Sequence, residues 1–412
     1  MSLAAYPAYP EYKDSGEGWL ENVPSHWETR KLKQLFVEKR HRPNLSLNCG
    51  SISFGKVVEK DDERVPHSTK ASYQEVLVGE YLVNPLNLNY DLKSLRIGLS
   101  DIDVVVSAGY IVLRAQAELN KQYFNYLLHR YDVSYMKLLG SGVRQTISFN
   151  HIANSILVAP PLPEQHAIAA FLDDKCERID EAVRIKEAQI ALLRERRQIL
   201  IQEAVTRGLN PDAPMKDSGI DWIGQIPAHW DLRSIRYAFR FRNNQRIPIS
   251  ASEREGKSGE YPYYGASGII DYVEDYIFDE DLILIAEDGA NLLSKSTPLA
   301  FVATGKYWVN NHAHILEPLF KGFEYWAELL SAADYTVYIS GSAQPKLTRD
   351  RLSSVRVPIP PTAERNAIID LIKRESLKFS KAITLKQDQI TALKEYKTSL
   401  INAAVTGKIK VI

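Results

Sequence analysis

Two stretches of the chain place apolar residues at alternating steps of three and four, which is the spacing of one face of an α-helix. One stretch spans residues 163–207 and the other follows residue 361. The predicted seam between the two helices consists of Val183, Ile190, Leu193 and Leu200 in the first and Ile383, Ile390, Leu393 and Leu400 in the second. At 1.5 Å per residue the first helix would be roughly 68 Å long, so its apolar stripe needs a partner helix.

The two predicted helices are copies of one another. Residues 185–206 and 385–406 are identical at ten of 22 positions. Each follows a proline-rich junction, residues 160–164 and 360–364, and proline suits a first helical turn because its missing N–H is not needed there. The shared register favours two related helices that pack on each other over two unrelated surface helices. Apolar residues outside the seam are expected to widen the apolar face of the first helix, namely Ile185, Leu192 and Ile199.

A tryptophan-containing block opens each half of the chain. Residues 13–30 and 216–233 share nine identical residues at an offset of 203, including both Lys-Asp-Ser-Gly and His-Trp. A repeat period near 200 residues indicates the duplication of a unit that consists of one domain and one long helix, and it is too long for a solenoid. The regions between block and helix, roughly 33–159 and 236–359, share no evident identity and mix strand-like apolar runs with short helical patterns. In each half, the opening block and the long helix are repeated while the region between them differs. This pattern suits one scaffold that carries two different recognition domains.

The bulk composition narrows the class of protein. The chain has 412 residues, 45% hydrophobic and 25% charged, which is typical of a globular protein of two or three domains. Two widely separated cysteines argue against a disulfide framework or a structural zinc site. The sequence shows neither a membrane-spanning apolar run nor a signal peptide, so we expect a cytoplasmic protein. The 51 basic and 51 acidic residues cancel, which taken alone disfavours a strongly electrostatic nucleic-acid binder.

Charge is less evenly distributed than the total suggests. Basic residues cluster directly after each tryptophan block: Arg30, Lys31, Lys33, Lys39, Arg40 and Arg42 in the first half, and Arg233, Arg236, Arg240, Arg242 and Arg246 in the second. Two same-sign clusters at matching places in a neutral chain suggest contacts with phosphates. A solvated helix face is the alternative interpretation.

Three motifs suggest chemistry that their details do not support. Residues 50–56 have the GxxxxGK spacing of a phosphate loop, but Val57 occupies the position of the magnesium-binding Ser or Thr, so a glycine-rich loop is predicted. Residues 84–87 lack the second proline and the aromatic residue of the Asn-Pro-Pro-aromatic motif of amino-methyltransferases. His312 and His314 lack a carboxylate or cysteine partner at the usual spacing, which favours a structural role or a base contact over metal binding.

Polar loops close each middle region. Arg144-Gln145 lies in the first loop, and Gln344 and Lys346 lie in the second. Arg and Lys can read guanine, whereas Asn and Gln can pair with adenine. The second half adds residues 261–268, which are rich in tyrosine and glycine, and Asn311 beside His312. These loops indicate two contact surfaces for DNA bases, although tyrosines in loops are as often packing residues.

Several segments together resemble the DNA specificity subunit of type I restriction–modification systems. They are KDSGIDWIGQIPAHW (216–230), PPLPEQHAIAAFL (160–172), YPYYGASG (261–268), EDGAN (287–291), WVNNHAH (308–314) and LINAAVTGKI (400–409). Each motif is weak by itself, but their order and duplication are specific, and the resemblance covers essentially the whole chain. The neutral net charge departs from a simple expectation for a DNA-binding protein.

The resemblance implies an α+β fold in which two globular target-recognition domains are separated by two long antiparallel helices, a coiled-coil spacer with a pseudo-two-fold internal repeat. The expected segments are 1–159 for the tryptophan block and first recognition domain, 160–212 for the central helix, 213–359 for the second recognition domain and 360–412 for the C-terminal helix. Each recognition domain would read one half of a split DNA site.

The candidate DNA contacts combine the two basic clusters with the polar loops. They are Arg30, Lys31, Lys33, Phe54, Lys56, Asn87, Arg96, Arg144, Gln145, Arg233, Arg236, Tyr263, Tyr264, Ser267, Asp288, Asn291, Lys295, Asn311, His312, Gln344 and Lys346. Catalytic residues and metal ligands are not expected on this chain.

The resemblance also implies partners and cofactors. The expected partners are double-stranded DNA, two methyltransferase subunits and restriction (translocase) subunits, without a membrane. S-adenosylmethionine, ATP and magnesium are expected on those subunits and no cofactor on this chain. Two other functions stay open from the residues: a stand-alone DNA nuclease or modification enzyme, and a coiled-coil adaptor unrelated to DNA.

Overall fold

The protein folds into two units, and each long helix contributes to both of them. The computed structural model describes residues 6–63, 65–87, 95–139, 145–256, 258–341 and 344–411. The first unit comprises Met1–Lys186 with Asp388–Ile412, and the second comprises Glu187–Gln387. The segments predicted from the sequence separate helices from domains, whereas the packing divides each helix between the two units.

The first unit contains short strands around one longer helix. Its strands are β1 (Tyr12–Asp14), β2 (Asn22–Pro24), β3 (Glu28–Lys31), β4 (Phe36–Glu38), β5 (Gly50–Ser53), β6 (Lys56–Glu59), β7 (Gln74–Val76), β8 (Tyr81–Val83), β9 (Leu86–Asn87), β10 (Ile97–Leu99), β11 (Val104–Val106), β12 (Ile111–Ala115), β13 (Gln145–Thr146) and β14 (Ile156–Ala159). Its helices are α1 (Leu32–Leu35), α2 (His67–Lys70), α3 (Lys121–Ser134), α4 (Phe149–Ile152) and the first part of α5 (Leu162–Arg207).

An antiparallel sheet in the order β10-β8-β12-β4 forms the centre of the first unit. Phe36 packs edge-to-face against Tyr81 and Phe124, with ring centroids 5.2 and 5.6 Å apart, and joins the sheet to α3. Leu172 from α5 and Leu400 from the C-terminal helix are fully buried in the same core. Separate two-stranded ladders pair β1 with β2, β3 with β14, β5 with β6, β7 with β11 and β9 with β13.

The second unit contains two four-stranded sheets. Its strands are β15 (Met215–Asp217), β16 (Gln225–Pro227), β17 (Asp231–Ser234), β18 (Phe239–Phe241), β19 (Ser258–Gly265), β20 (Gly268–Val273), β21 (Phe278–Asp279), β22 (Leu282–Ala286), β23 (Ala300–Ala303), β24 (Lys306–Val309), β25 (Ala313–Pro318) and β26 (Arg356–Ile359). Its helices are the last part of α5, α6 (Ile235–Ala238), α7 (Ala251–Glu255), α8 (Asn291–Ser294), α9 (Phe323–Ala332), α10 (Arg349–Ser354) and the first part of α11 (Thr362–Val405).

The two sheets of the second unit differ in direction. One has the order β18-β25-β22-β23 and is antiparallel throughout. The other has the order β20-β19-β24-β21, and its β19–β24 pair is parallel. All five residues of β22 are buried, which explains the uninterrupted apolar run of residues 282–286. The predicted α+β character is thus confirmed.

The long helices α5 and α11 pack against each other within each unit. In the first unit Lys186 Nζ donates to Gln389 Oε1 at 2.7 Å, and Lys397 Nζ donates to Asp180 Oδ1 at 2.7 Å. Residues later in α5 therefore contact residues earlier in α11, so the two helical segments run antiparallel. In the second unit Arg197 donates to Ser376 Oγ at 3.0 Å.

The second unit shows the same helix direction. Residues further along α5, such as Ile201, share a core with residues earlier in α11 than Ser376, such as Ile372 and Ile368. The expected antiparallel pairing is confirmed separately in each unit.

The residues of the predicted seam are buried or half-buried, whereas the three residues expected to widen the apolar face are exposed. Among the seam residues, Val183, Ile190, Ile390 and Leu400 are buried, and Leu193, Leu200, Ile383 and Leu393 are half-buried. By contrast, the exposed fractions are 48% for Ile185, 63% for Leu192 and 50% for Ile199. Ile185 and Leu192 each lie two residues after a seam residue, a turn of about 200° around the helix axis, and Ile199 lies one residue before Leu200, a turn of about 100°. A single partner helix covers only a narrow stripe, so it leaves them in solvent.

The duplicated tryptophan blocks hold the starts of the long helices. In the first unit Glu164 accepts hydrogen bonds from Trp27 Nε1 at 3.0 Å and from Tyr9 at 3.0 Å, and pairs with His26 at 2.6 Å. In the second unit Glu364 accepts from Trp230 Nε1 at 2.9 Å and pairs with His229 at 2.8 Å. Acidic residues are favoured at helix starts by the helix dipole. The same contact is thus built twice from repeated residues.

The same tryptophans also receive the ends of the long helices. Gly208 follows α5 with a φ of 76°, and Gly407 follows α11 with a φ of 72°, both in the left-handed region that glycine adopts without strain. A Cβ on Gly208 would lie 3.2 Å from Trp230, and one on Gly407 would lie 3.1 Å from Trp27. Each unit therefore packs one helix start and the other helix's end around one tryptophan.

Candidate nucleic-acid interface

The basic residues after the tryptophan blocks lie at equivalent places in the two units. Strand β3 pairs with β14, and β17 pairs with β26, immediately before the two long helices. The candidate phosphate contacts on or just after these strands are exposed: Arg30, Lys31, Lys33, Arg233 and Arg236. Their exposure suits contact with an external phosphate, and two of them also lie near acids of their own strands, Arg30 at 2.7 Å from Glu28 and Arg233 at 3.6 Å from Asp231.

Other members of the basic clusters are neutralised by acids from elsewhere in the fold. Lys39 Nζ lies 2.8 Å from Glu80, with both side chains largely buried. Arg242 pairs with Glu317 at 2.9 Å and with Glu280 at 3.1 Å. These acids are 38 or more positions away in sequence, so the apparent excess of positive charge in each cluster overstates the charge of the folded surface.

A two-residue hairpin turn presents Phe54, the most exposed aromatic side chain among the residues of the first unit that the structure describes. Strands β5 and β6 pair from Gly50 opposite Glu59 to Ser53 opposite Lys56. Phe54 and Gly55 form the turn, with φ values of 47° and 75°. Phe54 is 82% exposed and Lys56 is also exposed. The glycine-rich segment predicted here is this hairpin, and it lacks the strand–loop–helix arrangement of a phosphate loop.

The fold brings two distant base-contact candidates of the first unit together. Asn87 on β9 and Gln145 on β13 are Cα partners in an antiparallel ladder, although 58 positions separate them. Both residue types can pair with adenine through an amide group. Arg144 lies outside the described residues, so its predicted contact stays a prediction.

Arg96 is buried instead of facing solvent. Its Nε donates to Asp132 Oδ1 at 2.9 Å, its backbone N–H donates to Asp132 Oδ2 at 2.6 Å, and Nη1 donates to Leu86 O at 3.3 Å. Only about 7% of the Arg96 side chain and none of the Asp132 side chain is exposed. A buried carboxylate needs such a partner, which is why the arginine turns inward. We therefore remove Arg96 from the candidate DNA contacts.

In the second unit, three loops converge on one polar cluster. Backbone hydrogen bonds join Glu287 to His312 and Leu347, and Gly289 to Pro345. Asp288 Oδ2 lies 2.8 Å from His312 Nδ1, and Lys346 Nζ lies 3.4 Å from Glu287. The cluster thus unites the residues predicted from the 287–291, 308–314 and 342–346 segments.

The outer side of this cluster carries hydrogen-bonding groups of both kinds. Asn311, His312, Gln344 and Lys346 are exposed, and Asp288 is partly exposed beside them. Donors and acceptors in one exposed group match the mixed pattern that base pairs present in the major groove.

Beneath the exposed groups, a network of buried polar residues fixes the loops. Arg246 donates to Glu287 at 2.6 Å and to the Ala313 carbonyl at 2.8 Å. Partial burial alone would raise the pKa of Glu287, but the hydrogen bond from Arg246 and the nearby positive charges hold the pKa below its usual value. Arg246 belongs to a sequence cluster but was not among the candidates, and no sequence signal distinguished it from its neighbours.

His314 is part of the same network, and both of its ring nitrogens take part in hydrogen bonds. Burial lowers the pKa of its imidazole, which favours the neutral ring. Its Nε2 donates to the Leu347 carbonyl at 2.7 Å, and its Nδ1 accepts from Asn243 at 2.8 Å. Among the described residues there is no group of three or more His, Cys, Asp or Glu side chains placed to hold a metal ion. Its burial and its two hydrogen bonds agree with a structural role for this histidine.

Two candidate tyrosines in the second unit are packing residues. Tyr263 is 1% exposed, and its hydroxyl donates to the Ile249 carbonyl at 3.2 Å and accepts from the Ile249 N–H at 3.0 Å. Tyr264 packs against Phe301 and Tyr307 with ring centroids 5.6 and 5.5 Å away. We remove Tyr263 from the candidate DNA contacts because its side chain cannot reach a ligand without unfolding.

The remaining candidates of the second unit differ in availability. Ser267 is exposed in the two-residue turn between β19 and β20. Asn291 closes its own loop by accepting from the Thr297 N–H at 3.0 Å, and Lys295 Nζ donates to the Ala333 carbonyl at 3.1 Å. Sequence reasoning missed Tyr272, 49% exposed on the edge strand β20, because its exposure depends on which strand lies at the edge.

A repeated scaffold that carries two unlike polar surfaces defines the class: a two-domain recognition protein. A family model described as the type I restriction modification DNA specificity domain matches the chain twice, at residues 24–191 and 227–397. The chain belongs to this family, which confirms the resemblance seen in the sequence. No helix in the described part of the chain is both long and apolar enough to cross a membrane.

Individual relatives agree with this membership. A putative type I restriction enzyme specificity subunit from Haemophilus influenzae is 37% identical over 133 residues, and the match covers 32% of this chain and 33% of that relative. The putative type I restriction enzyme MjaX specificity subunit from Methanocaldococcus jannaschii is 22% identical over 424 residues, covering 95% of this chain and 96% of the relative.

A solved structure shares the fold across nearly the whole chain. It comes from work on complex assembly and conformational transition of the type I R-M system. The TM-score is 0.65 at 15% identity, and the match covers 93% of this chain and 98% of that chain.

Proposed function

We propose that this chain is the DNA specificity subunit of a type I restriction–modification complex, and that each unit reads one half of a split DNA site. The observation that carries the proposal is the contrast between the two units. Both units hold their helices with the same Trp–Glu contact. Their exposed groups differ, because the first unit presents Phe54 and Lys56 on a hairpin whereas the second presents the Asp288–His312–Lys346 cluster. Two different surfaces on one repeated scaffold suit a target with two different halves.

The exposed basic residues and the polar loops have separate roles in this proposal. Arg30, Lys31, Lys33, Arg233 and Arg236 hold phosphates and position the DNA without reading its sequence. The side chains of Asp288, His312, Gln344 and Lys346 read base edges in one half-site. The net charge of zero suits a chain whose partner subunits make part of the contacts with the DNA phosphates.

The proposal assigns the chemistry to those partners. Two methyltransferase subunits would supply adenine methylation with S-adenosylmethionine, and restriction subunits would supply ATP- and magnesium-dependent translocation and cleavage. This chain would be non-catalytic and would act in the cytoplasm. The relatives' names and the solved assembly support a multi-subunit complex, and the sequence lacks the methyltransferase motif discussed above.

Mapping of methylated adenines across the genome tests the proposal. In cells that carry the gene, we expect one split motif to be methylated, and its methylation to vanish when the gene is deleted. Loss of methylation at a continuous site, or no loss, would contradict the proposal. Turnover of DNA by the purified chain with magnesium alone would instead support a stand-alone enzyme.

A double substitution tests the assignment of the second reader. Gln344→Ala with Lys346→Ala removes two exposed polar groups, each worth about 1–3 kcal/mol of discrimination if it makes a bidentate base contact. We expect relaxed methylation at one half-site only. As a matched control, Lys321→Ala removes an exposed cation of the same unit that lies outside the candidate loops. Equal loss at both half-sites would refute the assignment.

A further inference from the structure

Phe54 combines two features that each disfavour phenylalanine. Its backbone lies in the left-handed region with a φ of 47°, which crowds the Cβ of any residue except glycine and is otherwise tolerated mainly by Asn and Asp. Its side chain is 82% exposed and belongs to no apolar core among the described residues. Two-residue hairpin turns of this kind favour Asn-Gly or Gly-Gly. A phenylalanine here therefore contributes nothing to the stability of the turn.

The hairpin beneath Phe54 is firmly anchored. Val57 on β6 is buried in an apolar cluster with Val76 of β7 and Val104 of β11. A Cβ on Gly98 of β10 would lie only 2.5 Å from the Gly55 carbonyl oxygen, so strand and turn are in close backbone contact. An aromatic ring carried by an anchored turn loses little conformational entropy when it binds a ligand.

The turn lies beside the other base-contact candidates of the first unit. A Cβ on Gly55 would lie 2.9 Å from Leu95. The next residue, Arg96, donates to the carbonyl of Leu86, which immediately precedes Asn87 on β9. The hairpin turn and the Asn87–Gln145 ladder are therefore neighbours. Lys56, two residues after Phe54, is exposed and adds a positive charge to the same hairpin.

From this geometry we infer that Phe54 is a wedge that inserts its ring between adjacent base pairs of the half-site read by the first unit. Apolar side chains inserted at a base step unstack it partly and kink the duplex, while a nearby cation holds the phosphate. The ring thus stacks on a base, and the kink brings the neighbouring bases toward the β9–β13 ladder on which Asn87 and Gln145 lie. This inference rests on the proposed function, since it requires that the first unit binds DNA.

The second unit offers a natural contrast. Its β19–β20 hairpin also has a two-residue turn, but Ala266 and Ser267 occupy it. Neither side chain is large enough to stack on a base. We therefore expect a wedge at only one of the two half-sites.

The variant Phe54→Asn tests the role of the aromatic ring in DNA binding without disturbing the fold of the hairpin. Asn suits the left-handed turn, so this variant is expected to be at least as stable to heat as the wild type. Phe54→Tyr keeps a ring that can stack. Val337→Ala is a matched control, because Val337 in the second unit is equally exposed, at 83%, and lies outside the candidate loops.

The test uses the full chain assembled with its methyltransferase subunits and duplexes carrying 2-aminopurine at each adenine position in turn. For the wild type we expect fluorescence to rise at one step of one half-site, besides any rise at the adenine that the methyltransferase flips. With Phe54→Asn the step signal should disappear, the flipped-base signal should remain, and affinity should fall about 5- to 150-fold, the range for loss of one stacked base. Phe54→Tyr and Val337→Ala should behave like the wild type.

Three results would overturn the inference, and they differ in what they say about the proposed function. Unchanged affinity and step fluorescence in Phe54→Asn would remove the wedge but leave the proposed function standing. Failure of Phe54→Asn to co-purify with the methyltransferase subunits would show that the ring contacts protein instead. Absence of site-specific binding by the wild-type complex would overturn the proposed function, and the wedge with it.

Discussion

The carboxylate of Glu164 should contribute more stability than its counterpart Glu364. Glu164 accepts from Trp27 and Tyr9 and pairs with His26, whereas Glu364 contacts only Trp230 and His229 among the residues described. Trp27 is fully buried, so its indole N–H has no access to water if the acceptor is lost. The perturbation we consider is Glu164→Gln, which keeps the shape and one acceptor oxygen but removes the charge.

The magnitude follows from the contacts. Because Gln keeps only one, neutral acceptor oxygen, the hydrogen bonds from Trp27, Tyr9 and His26 to a charged acceptor are weakened or lost, which costs about 1–3 kcal/mol. Loss of a negative charge at the start of a helix costs about 0.3–1 kcal/mol more. Glu164→Gln should therefore lower the free energy of unfolding by about 1–4 kcal/mol, or roughly 2–4 °C in Tm per kcal/mol for a unit of this size. Glu364→Gln, the matched variant in the second unit, should lower it less.

The pH dependence provides a second, independent measurement. Partial burial alone would raise the pKa of Glu164, but the hydrogen bonds from Trp27, His26 and Tyr9 hold it below its ordinary value. A carboxyl whose pKa is lowered on folding stabilises the protein above its unfolded pKa of about 4.3, and that contribution disappears as pH falls through the folded pKa. The stability difference between wild type and Glu164→Gln should thus be full at pH 7 and shrink below about pH 4.3.

Thermal unfolding of both variants and the wild type, followed by circular dichroism from pH 7 down to pH 3.5, checks this prediction. Unchanged Tm for Glu164→Gln at pH 7 would show that the carboxylate does not hold the helix start. A difference that persists undiminished at the lowest pH would show that its charge is irrelevant. Either result would refute the reasoning.

Three further predictions concern packing. Leu400→Ala in the helix seam should lower the free energy of unfolding by about 2–5 kcal/mol, because the shorter side chain leaves a cavity. Leu192→Gln on the exposed side of α5 should change the free energy of unfolding by no more than about 0.5 kcal/mol. Unfolding in urea measures both values. Tyr263→Phe should lower the free energy of unfolding by about 1–3 kcal/mol, because the backbone N–H and carbonyl of Ile249 lose their partner. The affinity for DNA should not change. Weaker DNA binding by a fully folded variant would show that Tyr263 contacts DNA. Gly407→Ala should lower Tm, because an added Cβ would lie 2.3 Å from a proline ring and the left-handed φ would be strained; an unchanged Tm would contradict it.

Periodic and repeated features could be predicted from the sequence because local rules govern them. The seam residues follow the helical period, the prolines and Gly208 lie at the helix ends, and the repeat is visible as identity. The antiparallel direction was expected only from the family resemblance, since a heptad-like stripe does not by itself specify direction. The apolar character of Leu192 gave no indication that one partner helix would leave it exposed.

The candidate site was predicted only in part. Loop composition singled out Asp288, His312 and Lys346, and the fold brings them together. It could not separate Tyr263, which is buried, from the exposed candidates of the same half, because tyrosine is common both in cores and in contact surfaces.

The sequence by itself determined the duplicated scaffold, since helical period, helix-end residues and repeated tryptophan blocks act over a few neighbouring positions. Tertiary structure alone decided which polar residues face outward. The pairing of Asn87 with Gln145, the burial of Arg96 against Asp132 and the exposure of Phe54 all depend on contacts between distant segments. Such contacts are set by the packing of whole elements, in which a buried charge must find its partner wherever the fold places it.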